Sequence, residues 1–206
     1  MGKNSVCILD YGSGNVKSVY NIFNYLGYDV IISNEKKTIK DSSHLVLPGV
    51  GAFGPSMEKI MTKIPFDVLE NQVLVSGKPF LGICLGMQVL SDEGTEFGTF
   101  DGFGWISGTV DLLQTNGLSL PHIGWNEVSK NMDCELFNGL DELNDFYFVH
   151  SYVFNVTHQE NVAAISNYGS DFTSVVKKDN IFGMQFHPEK SQQAGQNLIN
   201  NFMSIK

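Results

Sequence analysis

Two short stretches carry residues able to do chemistry together. In Gly82-Ile83-Cys84-Leu85-Gly86 a thiol sits between two glycines, after the apolar run "PFLGIC" at 79–84 and before "LGMQVL". A strand that passes straight into a helix at one residue makes a sharp turn, and glycines two positions to either side relieve its crowding. The side chain at the apex is lifted above the sheet. There the first amides of the following helix favour a thiolate and offer the Leu85 N–H to a developing oxyanion. An isolated cysteine is ordinarily a small packed hydrophobe, and Cys7 in "SVCIL" and Cys134 in "MDCEL" keep that assignment. A thiol nucleophile needs a base, and the base needs orienting. In "GMQFHPEKS" His187 and Glu189 are two apart, so an extended chain puts them on one face, while Pro188 stiffens the link. Alone, "HPE" is as readily a surface turn; with the cysteine turn it predicts Cys84, His187 and Glu189 as nucleophile, base and orienter. His44 reads as packed or solvated. No two histidines or cysteines sit at zinc-ligand spacing, so no metal and no cofactor is expected.

The elements that must position these groups alternate. "VCILDYG" at 6–12 is strand-like, "VKSVYNIFNYLG" at 16–27 has helical spacing, and "YDVIIS" at 28–33 is strand-like again. "HLVLPGVGAFG" at 44–54 is a buried strand running into a glycine-rich loop; 56–77 reads as helix with a break near Pro65; "PFLGIC" is the next strand and "LGMQVLSD" the next helix. That alternation predicts an α/β fold, a mostly parallel central sheet flanked by helices with sites at the carboxyl ends of its strands. The second half differs. "FGWISGTVDLLQ", "HIGWNEVS", "DFYFVHSYVFNV", "VAAISNYG", "FTSVVKKDN" and "IFGMQFHP" read as a largely antiparallel addition, and "SQQAGQNLINNFMSI" as a closing amphipathic helix. With no linker or repeat, residues 1–206 are expected to form a single domain.

Composition narrows the function classes. Twenty-two acidic residues stand against 13 lysines and no arginine, a net charge of −9 that leaves no basic stripe for a phosphate backbone, so nucleic acid is not expected as a partner. No run of about 18 apolar residues exists and "MGKNSVCILDYG" is too short in apolar residues for a signal peptide. A soluble, cytoplasmic protein without a membrane partner is expected.

"PFLGICLGMQVL" resembles the cysteine elbow of the class I glutamine amidotransferases, and "FHPE" the second half of their triad. More narrowly, "DYGSGN", "LPGVGAFG", "PHIGWNEV", "YFVHSY" and "GMQFHPEKS" are similar, in order and along nearly the whole chain, to the glutamine amidotransferase subunits of imidazole glycerol phosphate synthases. The resemblance implies that Cys84, His187 and Glu189 form the triad and that L-glutamine is the substrate. It also implies an oxyanion hole from the backbone of Val50 and Gly51 in "PGVG" together with Leu85, and glutamine held by Gln88 with His150, Ser151 and Tyr152.

Nothing in 206 residues reads as a second site to consume the ammonia. The resemblance supplies the consumer, a (β/α)₈ cyclase subunit in a heterodimer that makes imidazole glycerol phosphate in histidine synthesis, with Asn15, Trp125, Asn126 and Lys190 at family interface positions. Trp125 fits core packing nearly as well. Two alternatives stay open: the same glutaminase serving a cyclase-like sugar amidotransferase of surface polysaccharide synthesis, since "GTVDLLQTN" lacks basic residues often present there, and a non-enzymatic α/β protein with a sensing cysteine.

Overall fold

The computed structural model describes residues 5–12, 15–140 and 145–206. Its first half alternates as the periodicity predicts: β1 (Ser5–Ile8), α1 (Val16–Tyr25), β2 (Asp29–Ile32), α2 (Lys36–Asp41), β3 (His44–Gly49), α3 (Phe53–Lys63), α4 (Phe66–Glu70), β4 (Phe80–Cys84) and the four-residue α5 (Leu85–Gln88). Then come short strands β5 (Glu93–Gly94) and β6 (Phe100–Asp101), followed by β7 (Gly108–Leu112), β8 (His122–Glu127) and β9 (Ser129–Lys130). The chain closes with β10 (Asp145–His150), β11 (Tyr152–Val156), β12 (Val162–Tyr168), β13 (Ser170–Lys178), β14 (Ile181–Met184) and α6 (Gln192–Met203).

One eight-stranded sheet in the order β2-β1-β3-β4-β14-β13-β12-β9 forms the frame. Its first five strands are parallel and the last three antiparallel. Strands β1, β3, β4 and β14 are buried along their whole length, which is why they read as continuous apolar runs rather than alternating ones. Helices cover both faces. Val16, Val19 and Phe23 of α1 and Leu198, Ile199 and Phe202 of α6 fall at helical spacing and pack into one core; Phe53, Met57 and Ile60 of α3 pack into the other. A two-stranded ladder, β8 with β10, and a four-stranded sheet, β11-β7-β5-β6, complete an α/β molecule. Among the described residues no helix is long and apolar enough to cross a membrane.

Three expectations change. The helix read over "LGMQVLSD" stops at Gln88, because the carbonyls of Val89, Leu90 and Ser91 accept hydrogen bonds from Phe103, Trp105 and Gly104 instead of propagating the helix. In "FGWISGTVDLLQ" only Gly108–Leu112 is strand: Phe103 and Trp105 turn inward onto Phe66, and Trp105 meets Phe80 edge-on at 5.2 Å. "DFYFVHSYVFNV" breaks at Ser151 into β10 and β11, which join different sheets.

The elbow is packed too closely for side chains at its glycines. A Cβ on Gly86 would lie 1.8 Å from the Leu47 carbonyl oxygen, and one on Gly82 would lie 2.2 Å from that of Gly86. Both obstacles are backbone, so neither can swing aside. Gly86→Ala is expected to destabilise the fold by about 3 kcal/mol, the upper end for overpacking, measured as a lowered urea midpoint; an unchanged midpoint would contradict this packing.

Candidate active site

Cys84 ends β4 and caps α5 with φ 56° and ψ −111°. A non-glycine residue with positive φ is strained by about 1–3 kcal/mol and persists only where its surroundings hold it. Here β3 and β14 flank β4 through registered pairs, and the Gly82–Gly86 contact closes the turn. The Cys84 Sγ is directed at the end of β10, 3.9 Å from the Val149 carbonyl oxygen, and the Gln185 side-chain amide approaches it at 3.8 Å.

His187 comes to Cys84 from the segment after β14, the strand paired with β4. Its backbone N–H donates to the Tyr147 carbonyl at 2.9 Å, and its own carbonyl accepts from the Ser191 hydroxyl at 2.7 Å. The imidazole Nδ1 lies 2.8 Å from Glu189 Oε1, with both side chains buried. Asn15, at the start of α1, donates its side-chain amide to the same Glu189 oxygen and lies 3.3 Å from His187 Nδ1. Asn15 therefore buttresses the acid and the base, a contact no local spacing reveals. Burial alone would lower the His187 pKa, but hydrogen bonds to Cys84 and Glu189, and their negative charge, reverse the sign and push it up to about 10. The imidazole is then a cation at neutral pH, the acid a departing amine requires. His158 and Glu160 repeat the same spacing, yet they are exposed and 3.9 Å apart; burial beside a thiol makes the difference.

The stability consequence follows from the direction of the shift. A folded-state pKa above the ordinary value of 6.5 adds stability that is complete below 6.5 and lost as pH rises through about 10. Raising the pH from neutral through about 10 is expected to lower the unfolding free energy of the parent more than that of His187→Gln, which has no imidazole to deprotonate; equal losses in denaturant titrations would contradict it.

A cavity of ≈ 240 Å³ lies over the pair, and Cys84, Leu85, His187, Val50, Gly51, Gln88, His150, Ser151, Tyr152 and Lys190 all line it. Gly51 has φ +105°, a conformation open to glycine, so the chain leaving β3 turns past the cysteine with no side chain in the way. Gln88 donates its side-chain amide to the Tyr152 carbonyl at 2.9 Å and to Gln185 Oε1 at 3.0 Å. Two groups at the site escape a reading of the sequence. Gln185, fully buried beside Cys84, stands two before His187, and that spacing could have found it. Glu96 gives no local signal: its Oε2 accepts from the Phe53 backbone N–H at 2.9 Å at the start of α3, a partner 43 positions away, and the residue also lines the cavity.

His44, as one expected alternative had it, is packed: it is buried, with its Nε2 3.0 Å from the Ile205 carbonyl. Among the interface candidates, Trp125 is half-exposed and meets Tyr147 edge-on at 6.1 Å, and Lys190 Nζ lies 5.5 Å from the Tyr147 ring centroid. Asn126 donates to the Asn167 carbonyl at 2.8 Å. Trp125 and Lys190 thus both reach Tyr147, and Lys190 also lines the cavity. Among the described residues no group of three or more His, Cys, Asp or Glu is placed to hold a metal ion.

The family model of glutamine amidotransferase class-I matches residues 7–205. The chain is 43% identical over 200 residues to imidazole glycerol phosphate synthase subunit HisH 2 of Vibrio vulnificus, covering 96% of this chain and 93% of the relative. It is 41% identical over 199 residues to the HisH 2 subunit of Methanococcus maripaludis, covering 96% and 98%, and 40% identical over 200 residues to subunit HisH of Bacillus cereus, covering 97% and 94%. In fold it is similar to PurLQS from Thermotoga maritima, with a TM-score of 0.76 at 18% identity over 98% of this chain and 99% of that one. A glutamine amidotransferase from the same organism superimposes with a TM-score of 0.65 at 20% identity, over 99% of this chain and 84% of that one.

Proposed function

This chain belongs to the glutamine amidotransferase class-I family, and on that premise we propose that it is the glutaminase subunit of an imidazole glycerol phosphate synthase, acting in histidine biosynthesis as one domain over residues 1–206. One observation carries the chemistry: a cysteine held at φ 56° on a strand-to-helix turn, beside a buried imidazole whose Nδ1 is tied to a buried carboxylate. The relatives at 40–43% identity over nearly their full length support the pathway.

The geometry supports the following reaction. The Cys84 thiolate attacks the side-chain amide carbon of glutamine, and the carbonyl oxygen becomes an oxyanion facing the Leu85 N–H and the backbone of Val50 and Gly51. As the tetrahedral adduct collapses, His187 gives its proton to the departing nitrogen, and ammonia leaves a thioester on Cys84. His187, now neutral, takes a proton from water, whose oxygen attacks the thioester carbon; glutamate leaves and the thiolate is restored. Glu189 and Asn15 hold the imidazole in register. Glu96 supplies a negative group for the substrate ammonium, and Gln88 with the Ser151–Tyr152 backbone holds the rest of the amino-acid head. The ammonia passes to a cyclase seated against Asn15, Trp125, Asn126 and Lys190.

Glutamate and imidazole glycerol phosphate are measured with the cyclase and its substrate present. Formation of both is expected. Glutamate without imidazole glycerol phosphate would leave the glutaminase standing and remove the pathway. Glu189→Ala is expected to lose about 10²-fold in kcat, less than loss of the nucleophile, because it orients the base without reacting; a loss equal to that of Cys84→Ala would make Glu189 a reacting group.

A further inference from the structure

A buried polar chain connects Asn126 to the nucleophile, and its hydrogen-bond directions are all set by one atom. The Tyr152 carbonyl oxygen can only accept. It receives the Gln88 amide at 2.9 Å and lies 3.1 Å from His150 Nδ1, so that nitrogen carries a proton. In neutral His150 the Nε2 is then an acceptor, and His122 Nδ1, 2.9 Å away, must be the donor. His122 Nε2 is left to accept from the Asn126 side-chain amide at 3.3 Å, which also donates to the Asn167 carbonyl at 2.8 Å. On the other side both Gln88 N–H groups are used, the second on Gln185 Oε1, so the Gln185 amide nitrogen is the end that faces Cys84 Sγ. Gln88 can then offer the cavity only its carbonyl oxygen. Burial lowers the pKa of His122, and burial chiefly pushes that of His150 down to about 3, which keeps both imidazoles neutral.

We propose that His122, which does not line the cavity, is a positioning residue for the glutamine site: held by Asn126, it locks His150, which does line the cavity, in the Nδ1–H tautomer and thereby keeps a second donor on the Tyr152 carbonyl that anchors the Gln88 amide. The ring of His122 is stacked between Tyr168 at 4.1 Å and Phe148 at 5.0 Å, so its direction is fixed by packing as well as by hydrogen bonds. If His150 turned to the Nε2–H form, two N–H groups would face each other at 2.9 Å and the Tyr152 carbonyl would lose one of its two donors. The carbonyl that anchors the Gln88 amide would then be held by Gln88 alone and face a bare ring nitrogen, so the Tyr152 backbone that lines the cavity would be less firmly placed. Chains of this kind are costly to leave half satisfied. The substrate consequence rests on the glutaminase reading; the tautomers do not.

Two measurements on the full chain therefore separate the two. Long-range proton–nitrogen NMR of histidine-labelled protein at neutral pH is expected to show both His122 and His150 as Nδ1–H tautomers, the minority form of a free imidazole; either ring in the Nε2–H or doubly protonated form would overturn the proposal whatever the protein's activity. His122→Phe, which keeps the stacked ring and deletes the hydrogen bonds, is expected to raise the KM for glutamine roughly tenfold with a smaller fall in kcat, and His122→Asn, which restores a donor near the position of Nδ1, to recover most of it. A KM within twofold of the parent in His122→Phe would overturn it. Should that variant fail to fold, the tautomers of the parent decide.

Discussion

Cys84→Ala and Cys84→Ser are expected to lower glutamine hydrolysis by about 10⁴-fold or more, since without the nucleophile only binding and the oxyanion donors remain. Both variants should stay folded: alanine and serine demand no more of the strained turn than cysteine does, and neither fills new space. A glutamine analogue carrying an electrophile in place of the amide should label Cys84 alone. The other two thiols are poor competitors. Cys7 is fully buried, donates to the Ser33 carbonyl at 3.2 Å and has its pKa pushed to about 12, chiefly by burial. Burial likewise raises that of Cys134. Only Cys84 lines the cavity and touches an imidazole that is cationic at neutral pH. Mass spectrometry of the labelled protein gives the answer, and adduct on Cys7 or Cys134 with hydrolysis intact in Cys84→Ala would remove the nucleophile assignment.

Glutamine hydrolysis by the isolated chain is expected to be weak, rising by roughly 10²- to 10³-fold or more when the cyclase and an analogue of its own substrate are both present. That is the range a single oxyanion donor contributes. The device expected to respond is the turn after β3. Gly49 ends the strand, Gly51 follows Val50 with φ +105°, and glycines on both sides of Val50 let its peptide rotate at little steric cost. One orientation presents an N–H to the oxyanion and the other a carbonyl, which would repel it. A partner beside Lys190 and Trp125 can favour the first orientation only by binding it better, so the gain in rate measures that difference in affinity. Stimulation should appear mainly in kcat, because the oxyanion forms after glutamine is bound. Gly51→Ala should lower the stimulated rate in particular, since the added Cβ disfavours the positive φ. Full turnover by the chain alone would refute the switch and leave the triad intact.

Features that depend on near neighbours are legible in the residues alone. The elbow is one, because an abrupt strand-to-helix turn demands small residues at 82 and 86, and the clearances of 2.2 and 1.8 Å show how little room exists. His187 and Glu189 are another, because alternate residues of an extended segment share a face. The buried parallel strands are a third, because both of their faces need apolar side chains. Which distant groups complete the site was left to the packing of the whole chain. Asn15 meets Glu189 across 174 positions, Gln185 meets Cys84 across 101, and Glu96 caps α3 across 43; no periodicity encodes such contacts. Packing also made His187–Glu189 a buried pair and His158–Glu160 an exposed one, although their spacing is identical. The short α5 and the inward turn of Phe103 and Trp105 were illegible for the same reason: carbonyls with local helical potential bonded instead to a segment brought back by packing. Local sterics restrict the backbone one residue at a time, and so can be read from a few letters. Burial, charge and hydrogen-bond direction are properties of a site, and exist only once the chain has closed around it.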